Sequence, residues 1–235
     1  MLTLAFDSTA KVATVAVLDG EEVLAEYSIN NGLTQSELLL PMAEDMLTAL
    51  HLKISDIGLL ATSVGPGSFT GVRIGAALVK GLAFGRNIPC AAVSTLDALA
   101  ENLAGIRGII LACMDARRAQ VYNAIYRSDG QNIEKLTPDR AIAITDLAEE
   151  VRGFDGPIYV VGDGYESATE GLRACNVITE VTPMALRLEN AASVAKIAYK
   201  KYLNNDCLSD LEIAPTYLRM PQAERERLER LKKEN

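Results

Sequence analysis

Tryptophan is missing from this chain of 235 residues, and there is a single histidine, His51. One imidazole excludes a paired-histidine zinc site, and no nucleophile motif accompanies it, so an independent hydrolase is not supported. Cys90, Cys113, Cys175 and Cys207 lie far apart with no C-x-x-C pair. Neither a metal site nor a disulfide framework is signalled, and reduced, mostly buried thiols are expected. Positive charge is in deficit, with 23 Lys and Arg against 31 Asp and Glu for a net charge of −8. The average surface therefore repels nucleic acid, and tight binding of DNA or RNA by this chain alone is not expected. Long apolar runs are missing too, and Met1-Leu2-Thr3-Leu4-Ala5-Phe6-Asp7 has neither a basic leader region nor a cleavage site. Together these predict a cytoplasmic protein without membrane contact. What remains is 49% hydrophobic, enough to bury the core of one large domain or two small ones.

The chain is organised around Ser63-Val64-Gly65-Pro66-Gly67-Ser68-Phe69-Thr70-Gly71-Val72-Arg73-Ile74-Gly75. The apolar run Ile57 to Ser63 reads as a buried strand, the backbone turns on glycine and proline, and a helix begins with Ser68 or Thr70 as its cap. A glycine turn at a helix N-terminus can hold phosphate on backbone N–H groups. A P-loop is excluded, because five residues separate Gly65 from Gly71 and Val72 stands where that motif needs lysine. The preferred reading is a tight turn that packs strand against helix, with Asp7, Thr9, Gly65, Gly67 and Ser68 kept as candidates for a nucleotide site shared with a partner.

Leu2 to Phe6, Val12 to Leu18 and Glu22 to Ile29 predict three antiparallel strands joined by hairpins. A helix over Thr34 to Leu50, the strand and helix around the glycine turn, a strand over Ile88 to Val93 and a helix from Ser94 or Thr95 complete a βββαβαβα order. This is the ribonuclease-H-like half of the actin, Hsp70 and sugar-kinase class, which normally comes in two copies. Ile106 to Met114, Gln120 to Arg127 and Gln131 to Leu136 repeat the three-strand opening. Thr145 to Val151 and Glu166 to Arg173 read as helices flanking a strand over Ile158 to Val161 that ends in Gly162-Asp163-Gly164. The expected fold is α/β with mixed sheets in two such subdomains. Residues 1–105 form the first, and 106–235 form the second with the amphipathic helix Leu188 to Leu203 and the charged tail Gln222 to Asn235. An ATP-dependent small-molecule kinase of this fold, using Asp7, Thr9 and Gly162-Asp163-Gly164, is the alternative reading, although the phosphate-binding glycine expected after Asp7 is missing.

Two helices carry more apolar surface than a single sheet can cover. At 100° per residue, the apolar positions of Thr34 to Leu50 spread over about 200°, roughly twice the stripe a surface helix needs. The helix Gly71 to Gly85 adds Gly71, Gly75, Ala77, Gly81 and Gly85 at four-residue spacing among Val72, Ile74, Leu78, Val79, Leu82 and Phe84. Each helical glycine costs up to about 1 kcal/mol, an expense offset where another backbone comes close. Leu39, Met42, Met46, Leu50, Val72, Gly75, Val79 and Leu82 are the expected partner-binding residues.

The sequence resembles the TsaB (YeaZ) family, the partner subunit of the tRNA threonylcarbamoyladenosine machinery, across nearly its full length. The resemblance rests on Ser63 to Gly75, on Lys80-Gly81-Leu82-Ala83, on Val93-Ser94-Thr95-Leu96-Asp97-Ala98-Leu99, on Asp115-Ala116-Arg117-Arg118 and on Pro215-Thr216-Tyr217-Leu218-Arg219. It implies a non-catalytic subunit that pairs with a TsaD-type transferase through the helices Ser36 to Leu50 and Gly71 to Gly85, alongside a TsaE-type ATPase. A homodimer is implied in isolation, with tRNA met only through the complex and ATP or ADP only at an interface with a partner. The metal-binding histidines of the catalytic homologue correspond to Thr95 and Leu99 here. A hydroxyl and an isobutyl group cannot replace two imidazoles, so no metal and no catalytic residue is expected on this chain.

Overall fold

The computed structural model describes residues 1–32 and 34–219; the charged tail 222–235 lies outside the described residues. Strands β1 (Leu2–Asp7), β2 (Ala13–Asp19) and β3 (Glu22–Ile29) form an antiparallel meander, and β4 (Leu59–Ser63) and β5 (Cys90–Val93) extend it in parallel, giving the order β3-β2-β1-β4-β5. This is a ribonuclease-H-like sheet. The second sheet contains β6 (Gly108–Asp115), β7 (Gln120–Ser128), β8 (Ile133–Lys135), β9 (Arg140–Ala143) and β10 (Ile158–Val161), in the order β10-β6-β7-β8 with β9 also paired to β7. It repeats the antiparallel opening and one parallel addition. The short strand β9 falls where the sequence shows no alternation, and it is formed by pairing with Gln120 to Asn123.

Helices α1 (Gln35–Ala49), α2 (Phe69–Ala83), α3 (Thr95–Glu101), α4 (Ile144–Val151), α5 (Tyr165–Ala174) and α6 (Ala191–Leu203) stack with the sheets in five layers. Side-chain alternation on β1 explains the first three. Leu4 and Phe6 face a core with Leu39, Met46 and Val79 from α1 and α2. Ala5 points the other way, where Ala16, Ala61 and Ala91 meet Ala191, Val194, Ala195 and Ala198 of α6. Small residues on both sides let α6 lie close to the sheet. Helix α3 turns Leu96 and Leu99, with Leu103 just past its end, onto the inner face of the second sheet, against Ile110, Ala112 and Tyr126. The outer face of that sheet is covered by α4 and α5.

The boundary at residues 105 and 106 therefore marks a change of sheet, but the helices cross it. Helix α3, from the first half, packs on the second sheet, and α6, from the second half, packs on the first. Polar ties reinforce the exchange: Tyr126 donates its hydroxyl to Asp97 at 2.7 Å, and Lys135 bridges Asp97 and Asp139 at 2.6 Å each.

The expected partner-binding residues divide in a way the sequence did not anticipate. Leu39, Met42, Met46, Val72, Gly75 and Val79 are buried by this chain's own sheet, because one face of each broad apolar arc is spent on β1, β2 and β4. In the isolated chain these residues point inward. Leu50 and Leu82 remain half-buried at the margin of that core. Replacing Leu39 or Val72 by Glu is accordingly expected to cost about 4 kcal/mol or more by burying an unpaired charge. Loss of a cooperative thermal transition in the isolated chain checks this.

Candidate functional site in the cleft between the sheets

The end of β1 is stitched to the glycine turn. Asp7 is fully buried; one carboxylate oxygen accepts from the Thr9 amide at 2.8 Å and its hydroxyl at 2.6 Å, and the other accepts from Ser63 Oγ at 2.5 Å. The Ser68 amide donates to the Thr9 carbonyl at 2.6 Å, and Ser8 Oγ donates to the Gly71 carbonyl at 2.9 Å. Ser68 is the N-cap of α2 and accepts from the Gly71 amide at 3.2 Å. The glycines answer to this crowding. A Cβ on Gly67 would strike the Thr9 carbonyl and one on Gly71 the Ser8 carbonyl, while on Gly75 it would lie 2.5 Å from Thr62 Oγ1. The turn is thus a packing device first.

Above it lies a cleft of about 740 Å³ between the two sheets. The first half contributes Thr9, Lys11, Gln35, Gly67, Ser68 and Thr70, and the second contributes Asp115, Arg117, Tyr122 and Asp163. Of the five candidates for a shared nucleotide site, Thr9, Gly67 and Ser68 line this cleft, whereas Asp7 and Gly65 are buried behind it. Asp163 accepts from the Asp115 amide at 3.0 Å. Gly162 is held at φ +112°, and a side chain there would strike the Cys113 carbonyl, so Gly162-Asp163-Gly164 also serves close packing.

One buried group gave no signal in the sequence. Glu189 is 4% exposed and, among the described residues, neither carboxylate oxygen has a hydrogen-bond partner. It precedes the Asn190 cap of α6, where an acidic residue is unremarkable from sequence alone. Burial pushes its carboxyl well above the usual range, and the charges of Asp7 and Asp163 push it further. Asp163 is raised by burial, which outweighs the hydrogen bond from the Asp115 amide and the charge of Lys11, with the carboxylate charges of Asp115 and Asp7 adding to the shift. Burial also raises Asp7, outweighing its hydrogen bonds to Ser63 and Thr9. Three carboxyl groups at the junction of the two sheets therefore hold their protons more tightly than free carboxyls do. Among the described residues, no group of three His, Cys, Asp or Glu side chains could hold a metal ion. Thr95 and Leu99 are fully buried on α3, and His51 is exposed at the end of α1, outside the cleft lining.

The C-terminal segment Thr216–Arg219 forms part of the cleft wall. Tyr217 stacks on Phe69 with ring centroids 4.8 Å apart and accepts from Arg73 Nε at 2.8 Å. Arg219 donates to the Ala116 carbonyl at 3.0 Å and also to Gln120 Oε1.

The family model described as "TsaD: tRNA N6-adenosine threonylcarbamoyltransferase" matches residues 33–227. The chain is 34% identical over 162 residues to the "tRNA threonylcarbamoyladenosine biosynthesis protein TsaB" of Bacillus subtilis, covering 69% of this chain and 71% of the relative. The chain belongs to the TsaB (YeaZ) family. A TsaB of Haemophilus influenzae is 30% identical over 224 residues, 92% of each chain. The solved structure "YeaZ from Pseudomonas aeruginosa" shares the fold at a TM-score of 0.73, with 23% identity, 92% of this chain and 99% of that one covered. Against that TsaB background, the glycine turn, Asp115 to Arg117 and Thr216 to Arg219 meet around one cleft.

Two outcomes follow. Gly71→Ala should destabilise the chain by about 3 kcal/mol in urea denaturation, since backbone must move to admit the methyl group. For Glu189 the folded pKa lies above the ordinary 4.5, so the folded state holds a proton more tightly than the unfolded chain. Its stability contribution is complete below about 4.5 and is lost as pH rises through the raised folded value. Glu189→Gln removes that share. Urea midpoints of wild type and variant, compared from mildly acid to mildly alkaline pH, should show the wild type losing more stability.

Proposed function

We propose that this chain is a non-catalytic subunit of the threonylcarbamoyladenosine synthesis complex. It binds and supports the TsaD-type subunit that transfers threonylcarbamoyl from its adenylate to the adenosine beside the tRNA anticodon. The observation that carries the partner reading is the outer ridge of α2. A glycine within a helix costs up to about 1 kcal/mol relative to alanine. Gly71 and Gly75 are required by contacts inside this chain, but among the described residues a Cβ on Gly81 would have no atom within 4 Å. Ala77, one turn earlier, is exposed, and Ile74, Leu78 and Leu82 flank the pair half-buried. The same side of the molecule presents Leu40, 41% exposed on α1, and Phe84, 74% exposed at the end of α2. A smooth, apolar ridge at this spacing accepts a helix from another chain at short interaxial distance.

In isolation the same ridge pairs two copies of this chain; in the complex it meets the TsaD-type partner, with a TsaE-type ATPase as a further member. The complex works in the cytoplasm. Transfer chemistry belongs to the partner, since Thr95 and Leu99 offer no imidazoles at the positions matched to its metal ligands. Nucleotide and tRNA are met at surfaces shared with the partners. A kinase has less support: Asp7 spends its oxygens on Thr9 and Ser63, and the buried Glu189 adds acid where a phosphate would need cations.

Ala77→Glu and Gly81→Glu test the reading without touching the core. Each should leave the melting transition of the isolated chain nearly unchanged, as exposed helix positions do, while abolishing co-elution with the TsaD-type subunit. Reconstituted tRNA modification should fall to the level seen without this chain. Persistent pairing of both variants would place the interface elsewhere.

A further inference from the structure

The segment after Ile213 does more than end the fold. Ile213 is fully buried in the core beneath α2, and from there the chain crosses the cleft mouth. Its first anchors are on the α2 side. The Thr216 amide donates to the Val64 carbonyl at 2.7 Å, and the Thr216 carbonyl lies only 2.5 Å from where a Cβ on Gly65 would stand. Tyr217 then sits on Phe69, and the Arg73 guanidinium caps the other interactions, 3.8 Å from the Phe69 centroid and hydrogen-bonded to the Tyr217 hydroxyl. Two residues later the anchors belong to the opposite sheet. Arg219 reaches the Ala116 carbonyl and Gln120 Oε1 in the turn between β6 and β7, with its guanidinium 5.5 Å from the Tyr122 centroid.

We propose that Pro215–Arg219 is a built-in clasp that holds the two sheets at a fixed opening, so that the cleft is set by the chain itself rather than by a bound ligand. The fit is specific at both ends. Tyr217 offers a ring for stacking and a hydroxyl for Arg73, and Arg219 uses two guanidinium nitrogens on two different acceptors, a geometry lysine cannot copy. The turn it grips is unusual in holding three successive non-glycine residues at positive φ: Arg117 at 62°, Arg118 at 57° and Ala119 at 55°. Such a backbone persists only where its surroundings determine it. Arg219 grips it on either side of those residues, at Ala116 and Gln120.

The clasp is tested on the isolated full chain, so it stands or falls independently of the partner reading. Amide hydrogen exchange is followed at the turn 115–120 in wild type, Arg219→Ala, Arg219→Lys and Tyr217→Ala. Arg219→Ala should accelerate exchange there by about tenfold or more, as expected for removal of charge-assisted hydrogen bonds, with Arg219→Lys in between. Tyr217 does not itself hold that turn, so a comparable acceleration in Tyr217→Ala shows restraint transmitted across the cleft. Amides at the centres of β1 and β6 should keep their wild-type protection. The proposal is overturned if Tyr217→Ala leaves the turn unchanged, or if either alanine variant speeds exchange throughout the chain alike.

Discussion

The contact on which the rest depends is the one between the first strand and the glycine turn. The Thr9 carbonyl accepts from the Ser68 amide and Ser8 Oγ donates to the Gly71 carbonyl. Together they bring the start of α2 against the chain leaving β1, at a distance that no side chain on Gly71 would permit. With that approach set, Val72, Ala76, Val79 and Ala83 must face the sheet. Positions two residues off that face, Ala77 and Gly81 among them, are then left looking outward. The orientation of α2, and with it the position of Arg73 at the rim of the cleft, follows from two hydrogen bonds and a missing methyl group.

The same contact bears on the two readings of a glycine-rich strand-to-helix turn. A phosphate site needs backbone donors directed at open space. Here the Ser68 amide is used by Thr9 and the Gly71 amide by the Ser68 hydroxyl. Acidity nearby argues the same way. Asp7, Asp163 and Glu189 are drawn together from the end of β1, the turn after β10 and the start of α6, and burial raises all three. A junction of three buried carboxyl groups, each holding its proton more tightly than a free one does, is suited to joining two sheets. It is poorly suited to receiving polyphosphate.

Much of the fold is legible in the sequence because local patterns carry it. The three-strand openings are marked by alternating apolar runs and the Asp19-Gly20 and Asp129-Gly130 turns, and α2, α3 and α6 start at the caps Ser68, Ser94 and Asn190. What the sequence does not reveal is long-range. Strand β9 exists only through its pairing with β7. The exchange of α3 and α6 between the sheets leaves no periodic trace, since an alanine-rich face fits any close-packed neighbour. Glu189 reads as an ordinary acidic residue before a helix, and nothing local signals that both its oxygens are buried without a partner among the described residues. Pro215 to Arg219 is legible as a motif, but its span of the cleft depends on where four other segments meet.

The glycines of α2 show why composition by itself divides function incorrectly. Gly71, Gly75 and Gly81 look alike in the sequence, recurring every four or six residues along one helix. The first two lie against Ser8 and Thr62 and are demanded by this chain's own packing; the third meets no atom of the described residues. A sequence reading that pools them assigns the whole small-residue face, with Val72 and Val79, to a partner. Geometry separates the two uses, because a helix has two sides and its own sheet can occupy only one. Removing the contribution of internal packing leaves Gly81, Ala77 and their half-buried neighbours as the part of the pattern that the isolated fold does not need.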